Sequence, residues 1–418
     1  MTKFIIKGGR PLVGKIKVSG SKNAALPILA ATLLTSNVCE ISNVPWISDV
    51  QVMCEILKDL GAKVERKGDL IRVSTKEVKS YKPSPSLVKK LRASVLLMGA
   101  LLARFGKVLI NHPGGDLIGA RPIDIHLSGF RSLGVKISKR DDLYYLEAKK
   151  LIGQRIIPRE ESVTGTENIL MAACRASGKT TIRLAACEPE VEDLANFLKK
   201  MGAKIRGEGT HQIETFGMKK LKGAKYSVIP DRIEVGTFAL AAASTGGNVL
   251  IEGIKSSHLE SFLWKLKEVG VNFKVGEDYL NIVPSHHLKA TNIKTAPYPG
   301  FATDFQAPFA VLLTQASGKS IIFETIFEER LSYIAELVKM GAEAKILNPH
   351  ECEIKGPTKL KGTRLTVHDL RAGATLILAD LVASGRSEIN QVEIIDRGYE
   401  RLEEKLRSLG ADIKRQEN

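Results

Sequence analysis

The residues best suited to chemistry lie between Asn111 and His126, in the stretch NHPGGDLIGARPIDIH. A short apolar strand, KVLI at 107–110, runs into Pro113-Gly114-Gly115, which no strand continues. Gly119 supplies a second flexible point before Arg121-Pro122. Proline suits the first turn of a helix, and Ile123, Leu127, Phe130 and Leu133 follow at helical spacing, so a helix is expected from near Arg121. The product is a glycine-hinged loop, 111–121, that holds the acid Asp116 beside Arg121 at a helix N-terminus. Such an end, with free N–H groups and a positive dipole, suits a phosphate. A plain surface turn with a stray acid would read the same in isolation.

Further cations stand at the starts of strongly apolar helical stretches. Lys22 and Asn23 precede ALPILAATLL, Arg92 lies in KKLRASVLLMGALLA, Arg232 precedes VGTFALAAA, and Arg371 precedes AGATLILADL. Ser162–Asn168 and Thr303-Asp304 occupy the equivalent places before ILMAA and FQAPFAVLL. Helices apolar nearly all round must be buried. Capping accounts for Thr303, Asp304 and Asp369. It does not account for Lys or Arg, which the positive end of a helix disfavours, so an anion held among Lys22, Arg92, Arg232 and Arg371 is the sharper reading.

These helices recur because the chain repeats. A helix ending in Leu/Met/Val-Gly-Ala/Val and leading into a strand occurs six times, with glycines at 61, 134, 202, 270, 341 and 410, 68 to 73 residues apart. Between them recurs an apolar helix, a small turn and a strand, as in LLARFGKVLI, CRASGKTTIRL and TQASGKSIIF. Six such units define an α/β architecture built by repetition. The length alone suggests two or three domains.

Composition narrows the function. The net charge is +16, but the cations are dispersed in doublets and aromatics are only 6%, which disfavours a nucleic-acid surface. No apolar run reaches the roughly 18 residues of a membrane span, and the N-terminus lacks signal-peptide features. Five cysteines without CxxC spacing read as reduced thiols of a cytoplasmic protein, and neither zinc nor another metal is expected. His258, His286, His287 and His350 lie among polar residues and are expected at the surface. No Walker A, GxGxxG, HExxH or GxSxG pattern is present.

Eight stretches, in order, carry a resemblance: SGSKNAALPILAA (19–31), LRASVLLMG (91–99), PGGDLIGARPIDIH (113–126), PDRIEVGTF (230–238), FATDFQA (301–307), FEERL (327–331), HDLRA (368–372) and DRGYERLEEKL (396–406). The chain resembles the UDP-N-acetylglucosamine (UDP-GlcNAc) 1-carboxyvinyltransferases, or UDP-GlcNAc enolpyruvyl transferases, along its whole length. The resemblance implies a two-domain inside-out α/β barrel (α/β prism) with six βαβαββ repeats, three per domain. It implies one domain over 22–229, carrying loop 111–121, and a second formed by 1–21 with 230–418, closing over substrate.

By position, the resemblance implies that Lys22, Asn23, Arg121, Arg330, Arg371 and Arg397 bind phosphoenolpyruvate. Arg92, Arg121, Pro122, Ile123, Asp124, Ile125, Asp304 and Ile326 would contact UDP-GlcNAc, and Ser162–Gly165 falls where some members hold the diphosphate. Asp116, Lys22, Asp304 and Arg397 would be catalytic, with Asp116 the acid, Lys22 assisting it, and Asp304 the base. No cofactor is implied. Most members carry cysteine where this chain has Asp116, which puts thiol chemistry in doubt. Two alternatives stand beside this reading: an enolpyruvyl transferase acting on shikimate 3-phosphate, and a catalytically idle paralogue or nucleic-acid binder.

Overall fold

The computed structural model describes residues 2–115 and 118–417. One compact unit comprises Gly20–Gly115 and Arg121–Ile229. The other comprises the N-terminal stretch to Ser19, loop residues 118–120, and everything from Pro230. Each has its own apolar core.

Within each unit three apolar helices lie inside and the sheets lie outside. In the first unit the inner helices are Lys22–Ala31, Leu97–Phe105 and Val163–Ala173; in the second they are Arg232–Ser244, Thr303–Thr314 and Leu370–Val382. In Arg232–Ser244 every residue after Arg232 is buried, as a helix surrounded by others requires. The outer helices are amphipathic. Pro189–Lys200, for example, buries Val191, Leu194, Phe197 and Leu198, with acids in its first turn and lysines in its last.

The six repeat glycines explain the repeated sequence. All six have φ between 88° and 104°, a left-handed conformation that costs glycine nothing. After each, the next residue's N–H reaches back to a carbonyl five residues earlier: Ala62 to Leu57, Val135 to Phe130, Ala203 to Leu198, Val271 to Leu266, Ala342 to Leu337 and Ala411 to Leu406. This bond closes the helix end, and the apolar pair it brings together fixes the angle at which the next strand leaves.

Among the described residues five sheets have four strands in one pattern: a parallel pair, then two antiparallel partners. Val13–Lys17, which leads into the Lys22 helix, pairs with Asn248–Glu252 in the second unit, Ile16 opposite Ile251. Lys225–Ser227, which leads into the Arg232 helix, pairs with Cys39–Ser42 in the first, Tyr226 opposite Ile41. Besides the excursion of loop residues 118–120, the chain thus changes unit at 19/20 and at 229/230, and the two passing segments are bonded within each unit: Ser21 N donates to Ile229 O (2.7 Å) in the first and Asp231 N to Ser19 O (2.9 Å) in the second. The sixth sheet keeps three strands, Lys107–Asn111, Leu143–Glu147 and Lys136–Arg140. Its would-be fourth strand is the segment containing Pro83 and Pro85, where prolines cannot donate to a ladder; Leu109 N donates to Tyr81 O there.

All five cysteines are buried free thiols. Among the described residues no helix is long and apolar enough to cross a membrane, and no group of three His, Cys, Asp or Glu could hold a metal ion.

Candidate active site

In the first unit the site begins at Ser21, whose hydroxyl caps the Lys22–Ala31 helix by accepting from Ala24 N at 3.4 Å. This fixes Lys22 as the first helical residue, where its ammonium is disfavoured by the dipole. Asp49, in the first turn of Ser48–Asp59, compensates: Lys22 Nζ lies 2.6 Å from Asp49 Oδ2, with both side chains nearly buried. Asp49 was not singled out from sequence, since an acid in a first turn reads as ordinary helix chemistry. Pro27 deletes the i+4 hydrogen bond that the Asn23 carbonyl would accept, and Pro308 does the same for Asp304 in the second unit.

Arg92 and Arg121 lie together. Arg92 Nη2 donates to the Arg121 carbonyl, and at 3.4 Å to that of Pro122. Burial, with the neighbouring Arg121 charge, lowers the Arg92 pKa to about 10. An anion bound between them would relieve that repulsion. The helix expected from Arg121 starts only at Asp124, because the residue before a proline is pushed out of the helical region. Arg121 and Pro122 therefore lie outside the helix with their carbonyls open to Arg92, while Ile123 is the N-cap and its carbonyl accepts from Leu127 N at 3.1 Å. Asp116 lies outside the described residues. Gly119 has φ 118° and passes so close to Glu328 that a β-carbon would collide with its carboxylate.

A buried network fixes Thr164 of the Ser162–Gly165 segment. Ser162 caps the Val163–Ala173 helix, accepting from Gly165 N at 3.1 Å. His126 Nδ1 accepts from Asn168 Nδ2 at 2.8 Å, so the ring proton sits on Nε2, 3.3 Å from Thr164 Oγ1. Asn168 also donates to Val95 O and accepts from Gly99 N, tying three helices together. Burial, with Arg92 adding to it, pushes His126 down to about 3. An unfolded histidine takes its proton near 6.5, so the neutral ring contributes full stability above that pH, lost as pH falls from about 6.5 towards 3. We expect His126→Asn to lose about 2 kcal/mol less stability than the parent between pH 7 and pH 5. Urea unfolding at the two pH values measures this, and an unchanged difference would argue against the buried neutral ring.

In the second unit Asp304, Arg330 and Arg371 form one cluster. Arg330 Nη2 donates to Asp304 Oδ1, and Arg371 Nη2 to Oδ2 at 3.3 Å. Both arginines are only 5% exposed. Burial alone would raise the Asp304 pKa, but Arg371 and Arg330 hold it well below the usual carboxylate range. Arg371 stacks over Tyr399 at 5.3 Å, and the Tyr399 hydroxyl meets Thr237 Oγ1 at 2.9 Å. Asp369 caps this helix as expected, accepting from Arg371 N and Ala372 N at 2.9 Å. Thr303 and Asp304, expected as caps, are not: the N-cap is Ala302, Thr303 Oγ1 accepts from Arg330 Nη1 at 2.8 Å, and Asp304 faces the arginines. The tertiary charge outweighs the local cap. Ile326 is 37% exposed and Arg397 closes the short helix Val392–Arg397. Arg232 lies 5.5 Å over the ring of Tyr298.

His258, expected at the surface, is buried; burial, with Lys255 and Arg232, lowers it to about 4. A cavity of about 610 Å³ opens at the other end of the inner helices, past Ser244 and Gln315. Its lining includes Lys289 but none of Lys22, Arg92, Arg121, Arg330, Arg371 and Arg397.

The family described as EPSP synthase (3-phosphoshikimate 1-carboxyvinyltransferase) matches residues 6–406. The enolpyruvyl transferase NikO from Streptomyces tendae superposes with a TM-score of 0.90 at 26% identity, covering 99% of both chains. The EPSP synthase from Acinetobacter baumannii shares the fold, with a TM-score of 0.75 at 19% identity over the full length of both. By class, then, the fold is that of the enolpyruvyl transferases, the inside-out α/β barrel that the sequence implied. The chain is 47% identical over 415 residues to UDP-N-acetylglucosamine 1-carboxyvinyltransferase of Halothermothrix orenii, covering 99% of this chain and 100% of that one. It is 49% identical over 414 residues to UDP-N-acetylglucosamine 1-carboxyvinyltransferase 1 of Caldanaerobacter subterraneus subsp. tengcongensis, covering 99% of each. The chain belongs to the UDP-N-acetylglucosamine 1-carboxyvinyltransferase family.

Proposed function

We propose that this protein transfers the enolpyruvyl group of phosphoenolpyruvate to the 3′-hydroxyl of UDP-GlcNAc, releasing phosphate, as the first committed step of peptidoglycan precursor synthesis. The observation that carries this is the cluster in which the buried Arg330 and Arg371 hold the partly exposed Asp304, in a chain whose full-length relatives bear that activity in their names. Two guanidiniums share one carboxylate, and Arg330 Nε is buried without an acceptor among the described residues. The cluster is therefore an anion site held by an internal anion. We place the protein in the cytoplasm, a reading its five buried free thiols favour. Its partners are the two small substrates; neither nucleic acid nor membrane is called for.

The chemistry follows from the charges. Phosphoenolpyruvate brings a phosphate and a carboxylate, which Lys22, Asn23, Arg121, Arg330, Arg371 and Arg397 receive. UDP-GlcNAc is held by Arg92, Arg121–Ile125, Asp304 and Ile326. Asp116, with Lys22 assisting, protonates the methylene carbon. The 3′-oxygen adds to the neighbouring carbon as its proton passes to Asp304, giving a tetrahedral adduct. The added proton then returns from carbon to the acid and the C–O bond to phosphate breaks, the hydroxyl proton leaving with the phosphate. Asp304 is a feeble base while both arginines hold it. A substrate anion that draws Arg330 and Arg371 away would raise its basicity at the moment it is needed.

Asp304→Asn should therefore lower kcat at least about 100-fold while tightening phosphoenolpyruvate binding, because the competing internal anion is gone. Turnover and a direct binding titration measure the two; normal kcat, or weakened binding, would count against Asp304 as base and gate. The reading as a whole is tested by phosphate release with each acceptor. UDP-GlcNAc should support it and shikimate 3-phosphate should not, and the reverse result, or none with either, would overturn it.

A further inference from the structure

Resting on that reading, we propose that Glu324 is a positioning residue that locks the phosphoenolpyruvate-binding Arg330 and the sugar-nucleotide-binding turn at Ile326 into one frame. Glu324 is wholly buried, just past the strand Gly318–Phe323, and is the lone acid in the apolar run IIFETIF. A carboxylate there pays a desolvation cost that an apolar side chain would avoid, so its partners must compensate. One oxygen, Oε1, accepts from Ile326 N at 2.8 Å, Phe327 N at 3.3 Å and Thr295 Oγ1 at 3.1 Å. It therefore holds the turn that presents Ile326. The other, Oε2, accepts from Thr303 Oγ1 at 2.6 Å.

Thr303 makes the link directional. Its hydroxyl proton goes to Glu324, which leaves its lone pairs to accept from Arg330 Nη1 at 2.8 Å. Arg330 then reaches Asp304, and Asp304 reaches Arg371. The alternation is complete: carboxylate, hydroxyl, guanidinium, carboxylate, guanidinium. The backbone of Glu324 is itself fixed, its N–H donating to His350 O at 2.7 Å and its carbonyl accepting from His350 Nδ1 at 2.8 Å. Thr325 is doubly bonded to Thr295, so the turn cannot shift alone. Each oxygen of one side chain thus serves a different substrate's site.

That division gives a test which a merely structural glutamate would fail. In Glu324→Gln the amide oxygen can still serve Ile326, Phe327 and Thr295, but the amide nitrogen cannot accept from Thr303. Thr303→Val cuts the same link from its other end while keeping the side-chain shape. Each variant should raise KM for phosphoenolpyruvate about tenfold and leave KM for UDP-GlcNAc within about twofold. The double variant should stay near tenfold, because both changes cut one path. A double effect near a hundredfold, equal rises in both KM values, or an unchanged phosphoenolpyruvate KM in Thr303→Val would overturn the proposal. If Glu324→Gln does not fold, Thr303→Val decides the matter alone. If the parent protein turns over neither substrate, the functional reading fails. A crystal structure of Thr303→Val then decides separately: Arg330 should leave its place, and an unmoved guanidinium would refute the positioning role.

Discussion

Lys22→Ala is expected to lose at least about 100-fold in turnover, the low end for removing an electrostatic stabiliser or an assisting acid. The ammonium is positioned twice, by the Ser21 cap behind it and by Asp49 at 2.6 Å. Arginine should not rescue it. A planar fork cannot replace a compact charge in a site only 9% exposed, and its extra length would displace the partner. Removing Lys22 also takes an ion-pair partner from the nearly buried Asp49 carboxylate, so Lys22→Ala should lose stability as well as activity. Adding Asp49→Asn separates the two effects, since the double variant should recover stability but not turnover. Near-normal turnover in Lys22→Arg would contradict the assignment.

Asp116→Cys is expected to be inactivated by fosfomycin, and the parent protein to resist it. Fosfomycin alkylates the thiol of cysteine-bearing relatives, and a carboxylate is a far weaker nucleophile towards an epoxide than a thiolate. The variant should keep activity, and its pH optimum should lie above that of the parent. An ordinary aspartate ionises near 3.9, so as the acid Asp116 would donate a proton at neutral pH only when substrate raises its pKa, and low pH would help it. Residual activity after preincubation with drug and UDP-GlcNAc, with mass spectrometry for an adduct, provides the measurement. Covalent inactivation of the parent, or an active but resistant Asp116→Cys, would show that Asp116 does not face the substrate.

What the sequence disclosed and what it hid divide along a physical line. The repeat was legible because its signal is local: a helix end needs glycine, and the bond from Ala62 to Leu57 spans only five residues. The inner helices were legible because burial on all sides leaves no polar face. Asp304 was misread as a cap because its partners, Arg330 and Arg371, lie 26 and 67 residues away. His258 was misread because its polar sequence neighbours say nothing of the chain that covers it. Glu324 left one usable signal, a single acid inside IIFETIF, where a buried carboxylate needs a reason. Arg121 shows the limit of boundary reading: the proline that favours a helix start also pushes its predecessor out of the helix.

The central claim is enolpyruvyl transfer by addition and elimination, and the product made in deuterated water tests it most directly. Protonating the methylene carbon makes a transient methyl group. Its rotation lets elimination remove either the old or the new hydrogen. The enolpyruvyl ether formed from UDP-GlcNAc and phosphoenolpyruvate should therefore carry solvent deuterium on its vinyl methylene, read by mass spectrometry and NMR. A UDP-GlcNAc enolpyruvyl ether formed without deuterium on that carbon, or no such product at all, would contradict the account.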